Sequence, residues 1–271
     1  MHIETGFAPV NGAQLYYEIA GEGQPMLLIH AGVADCRMWE AQFAGFAEQY
    51  RVIRYDMRGF GRSAMPSGSF SNHDDVAGLL DYFQIDQAIV VGISFGGKIA
   101  IDFALAFPER VDALVLGAPS VGGTEPSERI LQFWEDEGAA VEKEDWETAV
   151  SLNVRLWVDG IHRQPEEVNP AVRQIVGQMQ YEIFQMDIPD DIEEIGLEPV
   201  ANGRLHEITA PTLVLVGDLD LPEKVAQTDW LIGQIPNAQH AIISGVAHML
   251  NMEAPAQFNL LSLTFLQEAI K

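Results

Sequence analysis

One stretch, AIVVGISFGGKIAIDFAL (Ala88 to Leu105), narrows the folds open to this chain more than any other. Its left half, Ala88 to Val91, is an apolar, β-branched run that reads as a buried strand. From Gly97 onward Ile99, Ala100, Phe103 and Ala104 recur at helical spacing. Ser94 therefore stands on the turn between a strand and a helix, inside Gly92-Ile93-Ser94-Phe95-Gly96-Gly97. A serine in a G-x-S-x-G turn of this kind sits in a strained backbone conformation, and neighbouring side chains must be absent to leave it room. The turn lifts the hydroxyl clear of the sheet. It also sets it at a helix N-terminus, where free N–H groups and the helix dipole favour developing negative charge. That context marks Ser94 as a candidate nucleophile rather than an ordinary capping serine.

The rest of the chain keeps the same rhythm. Strand patterns fall at Gln14–Ala20, Met26–His30, Arg51–Asp56, Asp112–Gly117, Thr212–Asp218 and Ala238–Ser244. Helical patterns lie between and after them, at Met38–Glu48, His73–Phe83, Lys98–Phe107 and Pro255–Ile270. Alternating β and α units predict a mostly parallel, doubly wound sheet of about eight strands with helices on both faces. From about Ser120 to Glu207 the rhythm breaks. No strand pattern is found there, only helical ones at Glu128–Glu137, Asp145–Val158 and Pro170–Met186. Residues 120–207 thus read as an inserted helical cap, with 1–119 and 208–271 forming the α/β core. The apolar residues of this block, Trp134, Trp146, Trp157, Met179, Phe184 and Met186, are expected to pack helix on helix, with part of that face roofing a pocket.

Composition excludes several classes of protein. The formal net charge of −25 repels nucleic acid and anionic membrane surfaces alike. No stretch approaches the ~18 apolar residues of a membrane helix. MHIETGFAPVNG lacks the basic start and apolar core of a signal peptide. A single cysteine, Cys36, allows no internal disulfide and suits a reducing compartment, so the chain is expected to be cytoplasmic. There is no H-E-x-x-H, cysteine cluster or glycine-rich phosphate loop, and neither a metal nor an organic cofactor is expected.

A nucleophilic serine needs a base and an orienting acid. His248, in SGVAHMLNMEAPAQF, follows the last strand and precedes the final helix. The other histidines fit less well: His2 is terminal, His73 opens a helix, His162 and His206 lie in or beside the inserted block, and His240 falls within a strand pattern. VLVGDLDLPE offers Asp218 and Asp220 just past a strand, at the carboxyl edge of the sheet where such sites collect. Asp220 is preferred; Asp218 could instead cap the turn.

With these motifs in this order, the chain resembles the α/β-hydrolase fold family over nearly its whole length, on its serine-nucleophile, carboxylesterase-like branch. LLIHAGVADCRMW resembles the family's H-G-x segment, YDMRGFGRS its D-x-R-G-x-G-x-S turn, GISFGG its nucleophile elbow, GDLD its G-x-x-D acid loop and AHMLNMEAPAQFN its histidine loop. The resemblance implies Ser94, Asp220 and His248 as a catalytic triad. It also implies the backbone N–H groups of Gly32 and Phe95 as the oxyanion hole. The first motif departs from the family pattern, reading His30-Ala31-Gly32 where His-Gly is usual. Relatives of this fold that are haloalkane dehalogenases or epoxide hydrolases carry aspartate where this chain has Ser94.

The expected activity is hydrolysis of small to medium, mostly apolar carboxylic esters through an acyl-enzyme. The partner would be a small-molecule ester, and oligomeric state is not legible. The acidic first half of the block predicts a disfavour for anionic acids. An enol-lactonase or a carbon–carbon bond hydrolase would use the same triad on carboxylate-bearing substrates. A basic residue in the pocket would favour that alternative, and Arg37 is the near candidate. A ligand-binding receptor on a hydrolase fold is a further alternative.

Overall fold

The structure is a computed structural model, and residues 2–270 are described. Among them the chain forms ten strands. These are β1 (Ile3–Val10), β2 (Ala13–Ala20), β3 (Pro25–Ile29), β4 (Arg51–Tyr55), β5 (Gly68–Phe70), β6 (Ala88–Ile93), β7 (Val111–Gly117), β8 (Ile192–Glu194), β9 (Thr212–Gly217) and β10 (Ala238–Ile243). The α-helices are α1 (Glu40–Phe46), α2 (Asn72–Tyr82), α3 (Phe95–Ala106), α4 (Glu128–Val141), α5 (Trp146–Asn153), α6 (Pro170–Phe184), α7 (Pro222–Gln234), α8 (Leu250–Glu253) and α9 (Pro255–Ala269). No helix among the described residues is long and apolar enough to cross a membrane.

Eight strands form one sheet in the order β1-β2-β4-β3-β6-β7-β9-β10. The β1–β2 and β2–β4 pairs are antiparallel and the rest parallel. The expected doubly wound sheet is what the chain builds. The central strands β6 and β9 are buried along their whole length, as continuous apolar runs covered on both faces must be. Period-2 alternation divides their side chains between two cores. Leu27, Val90, Leu114 and Val214 face α2 and α3, packing with Val76, Leu79, Ile99 and Phe103. Met26, Leu28, Val91, Val115 and Leu215 face the other way, towards Trp39, Phe43, Phe258 and Phe265.

β3 lies between β4, which follows it in the chain, and β6. The winding direction reverses there, and a crevice opens at the carboxyl ends of β3 and β6, where parallel sheets bind ligands. Gly32 follows β3 and Ser94 follows β6, so the topology sets them on either side of that crevice.

Several elements depart from expectation. β1 adds an edge strand whose Gly6 and Pro9 hide the strand pattern; an edge is where a sheet tolerates proline. The block 120–207 is not free of strands: β8 pairs with β5 in a separate two-stranded parallel sheet. Its three residues, Ile-Glu-Glu, are too few and too polar to show a period. α7 was not foreseen either, although Pro222 at its first turn is a helix-start signal. The helical reading of 145–158 divides into α5 and a widened π-helical turn, Val154–Asp159.

Candidate active site

Ser94 has φ 55° and ψ −113°, a backbone conformation that a side-chain-bearing residue holds only under constraint from its surroundings. The constraints are visible. Its N–H donates to Gly117 O of β7 at 2.8 Å, and its carbonyl accepts from Lys98 N and Ser120 N at 3.0 Å each. The flanking glycines are required by close approach. A Cβ on Gly92 would lie 2.3 Å from Gly96 O, and one on Gly96 2.3 Å from Ile29 O. Phe95 opens α3, so its N–H is among those a helix start leaves without an intrahelical acceptor.

His248 and Asp220 meet across two loops. Nδ1 of His248 donates to Asp220 Oδ2 at 2.8 Å, and both side chains are buried. The other carboxylate oxygen, Oδ1, accepts the Leu221 N–H at 2.7 Å. Asp218 instead takes the Ser244 hydroxyl and the Gly245 N–H at 2.7 Å each and lies at the surface, so it ties the turn after β9 to the one after β10. Nε2 of His248 is buried without a hydrogen-bond partner among the described residues. It belongs to a residue that lines the same cavity as Ser94. Of the seven histidines, His248 alone lines that cavity.

The loop after β3 is anchored from beneath. Burial lowers the His30 pKa, which favours a neutral ring. Nε2 accepts the Met57 N–H at 3.0 Å, so Nδ1 carries the proton and donates to Ala31 O at 2.9 Å. The Y-D-M-R-G-F-G-R-S segment is the scaffold for this loop. Asp56 accepts N–H bonds from Cys36 and Arg62, the Ser63 hydroxyl donates to Asp56 O, and Arg58 forms a buried ion pair with Asp75. The Ala31 N–H turns inward to Met38 Sδ at 3.2 Å, while Gly32 reaches the cavity. A Cβ on Gly32 would stand 3.5 Å from Phe95 Cβ, so the two candidate donors are neighbours.

The cavity has a volume of about 1080 Å³. One wall is the loop residues above; the opposite wall comes from 120–207. Trp134, Trp157 and Phe184 line it and are the part of that apolar face that roofs the pocket. The Trp157 ring lies 4.7 Å from that of His248. Trp146 stacks on Phe184 from behind, and Met179 is fully buried. Arg163 clamps this wall to the histidine loop. Its guanidinium donates to Val158 O at 2.7 Å and pairs with Glu253, which also accepts the Ala247 N–H at 3.0 Å. Arg163 and Glu253 were not picked out from sequence. The glutamate's place five residues after His248, just before Ala254-Pro255, is the one signal that points to it.

Arg37 does not enter this cavity. It pairs with Asp35 and Glu182 beside a separate hollow of about 120 Å³. The basic residues that line the Ser94 cavity are Lys98 and Lys224. Lys98 pairs with Asp102 at 2.9 Å. Burial brings the Lys224 pKa down to about 8, opposed by the nearby charges of Asp220 and Glu223.

A mostly parallel sheet with a serine on a strained strand–helix turn, and a buried His–Asp pair whose histidine lines the same cavity, is the architecture of an α/β hydrolase. A family model described as the alpha/beta hydrolase fold matches residues 24–144. The chain is 30% identical over 275 residues to a 2-hydroxymuconate semialdehyde hydrolase of Pseudomonas sp. strain CF600, covering 92% of this chain and 89% of that one. It is 28% identical over 252 residues to 3-oxoadipate enol-lactonase 2 of Acinetobacter baylyi, with 90% of each chain covered. It is 24% identical over 260 residues to carboxylesterase YbfK of Bacillus subtilis, covering 91% and 81%. The chain belongs to the α/β-hydrolase fold family, and its relatives are hydrolases with different substrates.

Proposed function

We propose that this protein is a serine hydrolase of carboxylic esters, with residues 120–207 as the cap over its active site. The observation that carries the reading is His248: Nδ1 is held by a buried carboxylate, while Nε2 is buried, unpartnered and on the cavity that Ser94 lines. Ser94 Oγ attacks the ester carbonyl, and His248 Nε2 takes its proton and returns it to the leaving alcohol. Asp220 fixes the tautomer and stabilises the imidazolium. The N–H groups of Gly32 and Phe95 receive the oxyanion, each worth about 3 kcal/mol of transition-state stabilisation in comparable sites. Water then attacks the acyl-enzyme by the same route, releasing the acid and restoring Ser94.

The test is hydrolysis of p-nitrophenyl esters from acetate to decanoate by the wild type and by Ser94→Ala. The expected result is turnover that falls roughly 10⁴-fold or more in the variant, with a chain-length preference set by the cap. Turnover that survives Ser94→Ala overturns the reading.

A second reading has the same side chains open a lactone or cleave a carbon–carbon bond next to a carbonyl. It is favoured by the names of two of the relatives above, an enol-lactonase and a semialdehyde hydrolase. Turnover of a lactone by a protein inert to every linear ester would select it.

A further inference from the structure

We propose that Lys224 makes the Ser94 cavity selective for esters that carry a carboxylate on a short arm from the scissile bond. The proposal rests on the ester-hydrolase reading and names its substrate class.

Lys224 is placed where a lysine is costly. It is the third residue of α7, and a helix N-terminus disfavours a cation. Its side chain is half-buried, and it lines the cavity. Its Nζ donates to Ser120 Oγ at 2.9 Å, with longer approaches to Pro119 O at 3.4 Å and Gln227 Oε1 at 3.5 Å. Among the described residues no carboxylate comes within ion-pairing distance of it. A half-buried ammonium whose direct partners are all neutral oxygens is an incomplete arrangement, and a carboxylate completes it.

The other charged groups facing the cavity are already matched or lie at its rim. Lys98 is neutralised by Asp102. Asp220 is engaged by His248 and the Leu221 N–H. Glu223 accepts the Ser127 hydroxyl at 2.7 Å and faces Arg129. Glu137 accepts from Asn153, and burial raises its carboxyl towards the neutral form. Glu125 is exposed. The acidic block supplies Glu125 and Glu137 to the lining, and neither pairs with Lys224.

The position also fits the chemistry. Ser120, which Lys224 holds, donates its own N–H to Ser94 O at 3.0 Å. Lys224 thus stands on the wall beside the nucleophile, within reach of the far end of a short dicarboxylic half-ester whose ester carbonyl lies over Ser94.

The experiment compares monomethyl with dimethyl esters of succinic, glutaric and adipic acids as ratios of kcat/KM. It uses wild type, Lys224→Met and Lys224→Arg. In the wild type the monoester is expected to win for at least one chain length. Lys224→Met should lower that ratio roughly tenfold to a hundredfold, the range of a hydrogen bond to a charged group, and Lys224→Arg should retain much of it. Because the lysine loses its charge as pH rises through about 8, the wild-type ratio should fall above that pH. In Lys224→Met it should stay level, since changes at the triad act on both esters and cancel. A lysine that only ties α7 to the Pro119–Ser120 segment gives a lower Tm in Lys224→Met with an unchanged ratio, and that result overturns the proposal. Calorimetric titration of glutarate into Ser94→Ala separates this proposal from the ester reading. Binding that disappears in Ser94→Ala/Lys224→Met supports the lysine site even if no ester is turned over. Absence of glutarate binding to Ser94→Ala at pH 7 overturns it.

Discussion

Ser94 and Trp134 line the same cavity, yet they are held there by different means. Around Ser94, backbone meets backbone. Gly92 and Gly96 leave no room for a Cβ, and Gly217, at the end of β9, would press one to 2.2 Å from Val246 O. Beneath the loop after β3, a buried set of polar groups from His30 to Ser63 leaves few alternatives. Trp134 sits on α4 with about half of its surface exposed, near the equally exposed Leu131, and no close backbone approach of the kind seen around Ser94 surrounds it among the described glycines. The wall that carries Ser94 is fixed by the chain path. The opposite wall is fixed by the shapes of side chains, which tolerate exchange. An arrangement of this kind lets related chains keep one scaffold while differing in substrate, as the names of this protein's relatives do.

The contrast is broken most severely at Gly96. Its Cβ in Gly96→Ala would lie 2.3 Å from Ile29 O and 2.5 Å from His30 O, against backbone that cannot yield without moving β3. The variant is expected to lose about 4 kcal/mol or more of stability, measured by denaturant unfolding, or to be recovered only as aggregate. Trp134→Ala should unfold close to the wild type and shift only the preferred acyl length. A stable Gly96→Ala protein would show that backbone contact does not set this wall.

Next in size is the pair of aspartates. In Asp220→Asn the shape is kept but the histidine can adopt the wrong tautomer, so kcat should fall roughly 10⁴-fold with little change in Tm. Asp218→Asn removes a turn tie and should cost about 1 kcal/mol of stability with kcat close to wild type. If the two effects were exchanged, the acid of the site would be Asp218.

What the sequence disclosed follows the same division. The strands of the core announced themselves because burial on both faces demands unbroken apolar runs. The elbow did so because its glycines answer to a backbone clash that any such turn must avoid. Asp220 could be ranked above Asp218 by its place in GDLD, but only the fold shows the Ser244 and Gly245 contacts that occupy Asp218. Arg37 was singled out because it is near Gly32 in sequence, and it proved to be spent on Asp35 and Glu182. Lys224 is remote from Ser94 in sequence and comes beside it only when α7 packs against the loop after β7. Nothing local marks a tryptophan as roof rather than packing, since both uses need the same apolar face. β8 exists only by pairing with β5, a partner that no local pattern names.

The smallest effect expected belongs to the side-chain wall and is a matter of pH. Glu137 lines the cavity from α4, accepts a hydrogen bond from Asn153 and has its carboxyl raised above the ordinary value by burial. The unfolded chain titrates this group at the ordinary value. Between the two values the folded protein therefore binds more protons than the unfolded one, and stability declines as pH rises through that window. Below it the group has no such effect; above it the full penalty of a partly buried carboxylate is present. Glu137→Gln keeps the shape and the acceptor for Asn153 while removing the titration. The Tm of Glu137→Gln relative to wild type should be lowest near pH 4 and rise towards neutrality, then level off, a modest gain because the site is only half-buried. Glu135→Gln, on the exposed side of the same helix, controls for the loss of one negative charge from a chain of net charge −25. If the Glu137→Gln gain were the same at every pH, it would reflect relief of general repulsion instead of burial. Glu137 would then count as surface, and the roof would be more open to water than its packing implies.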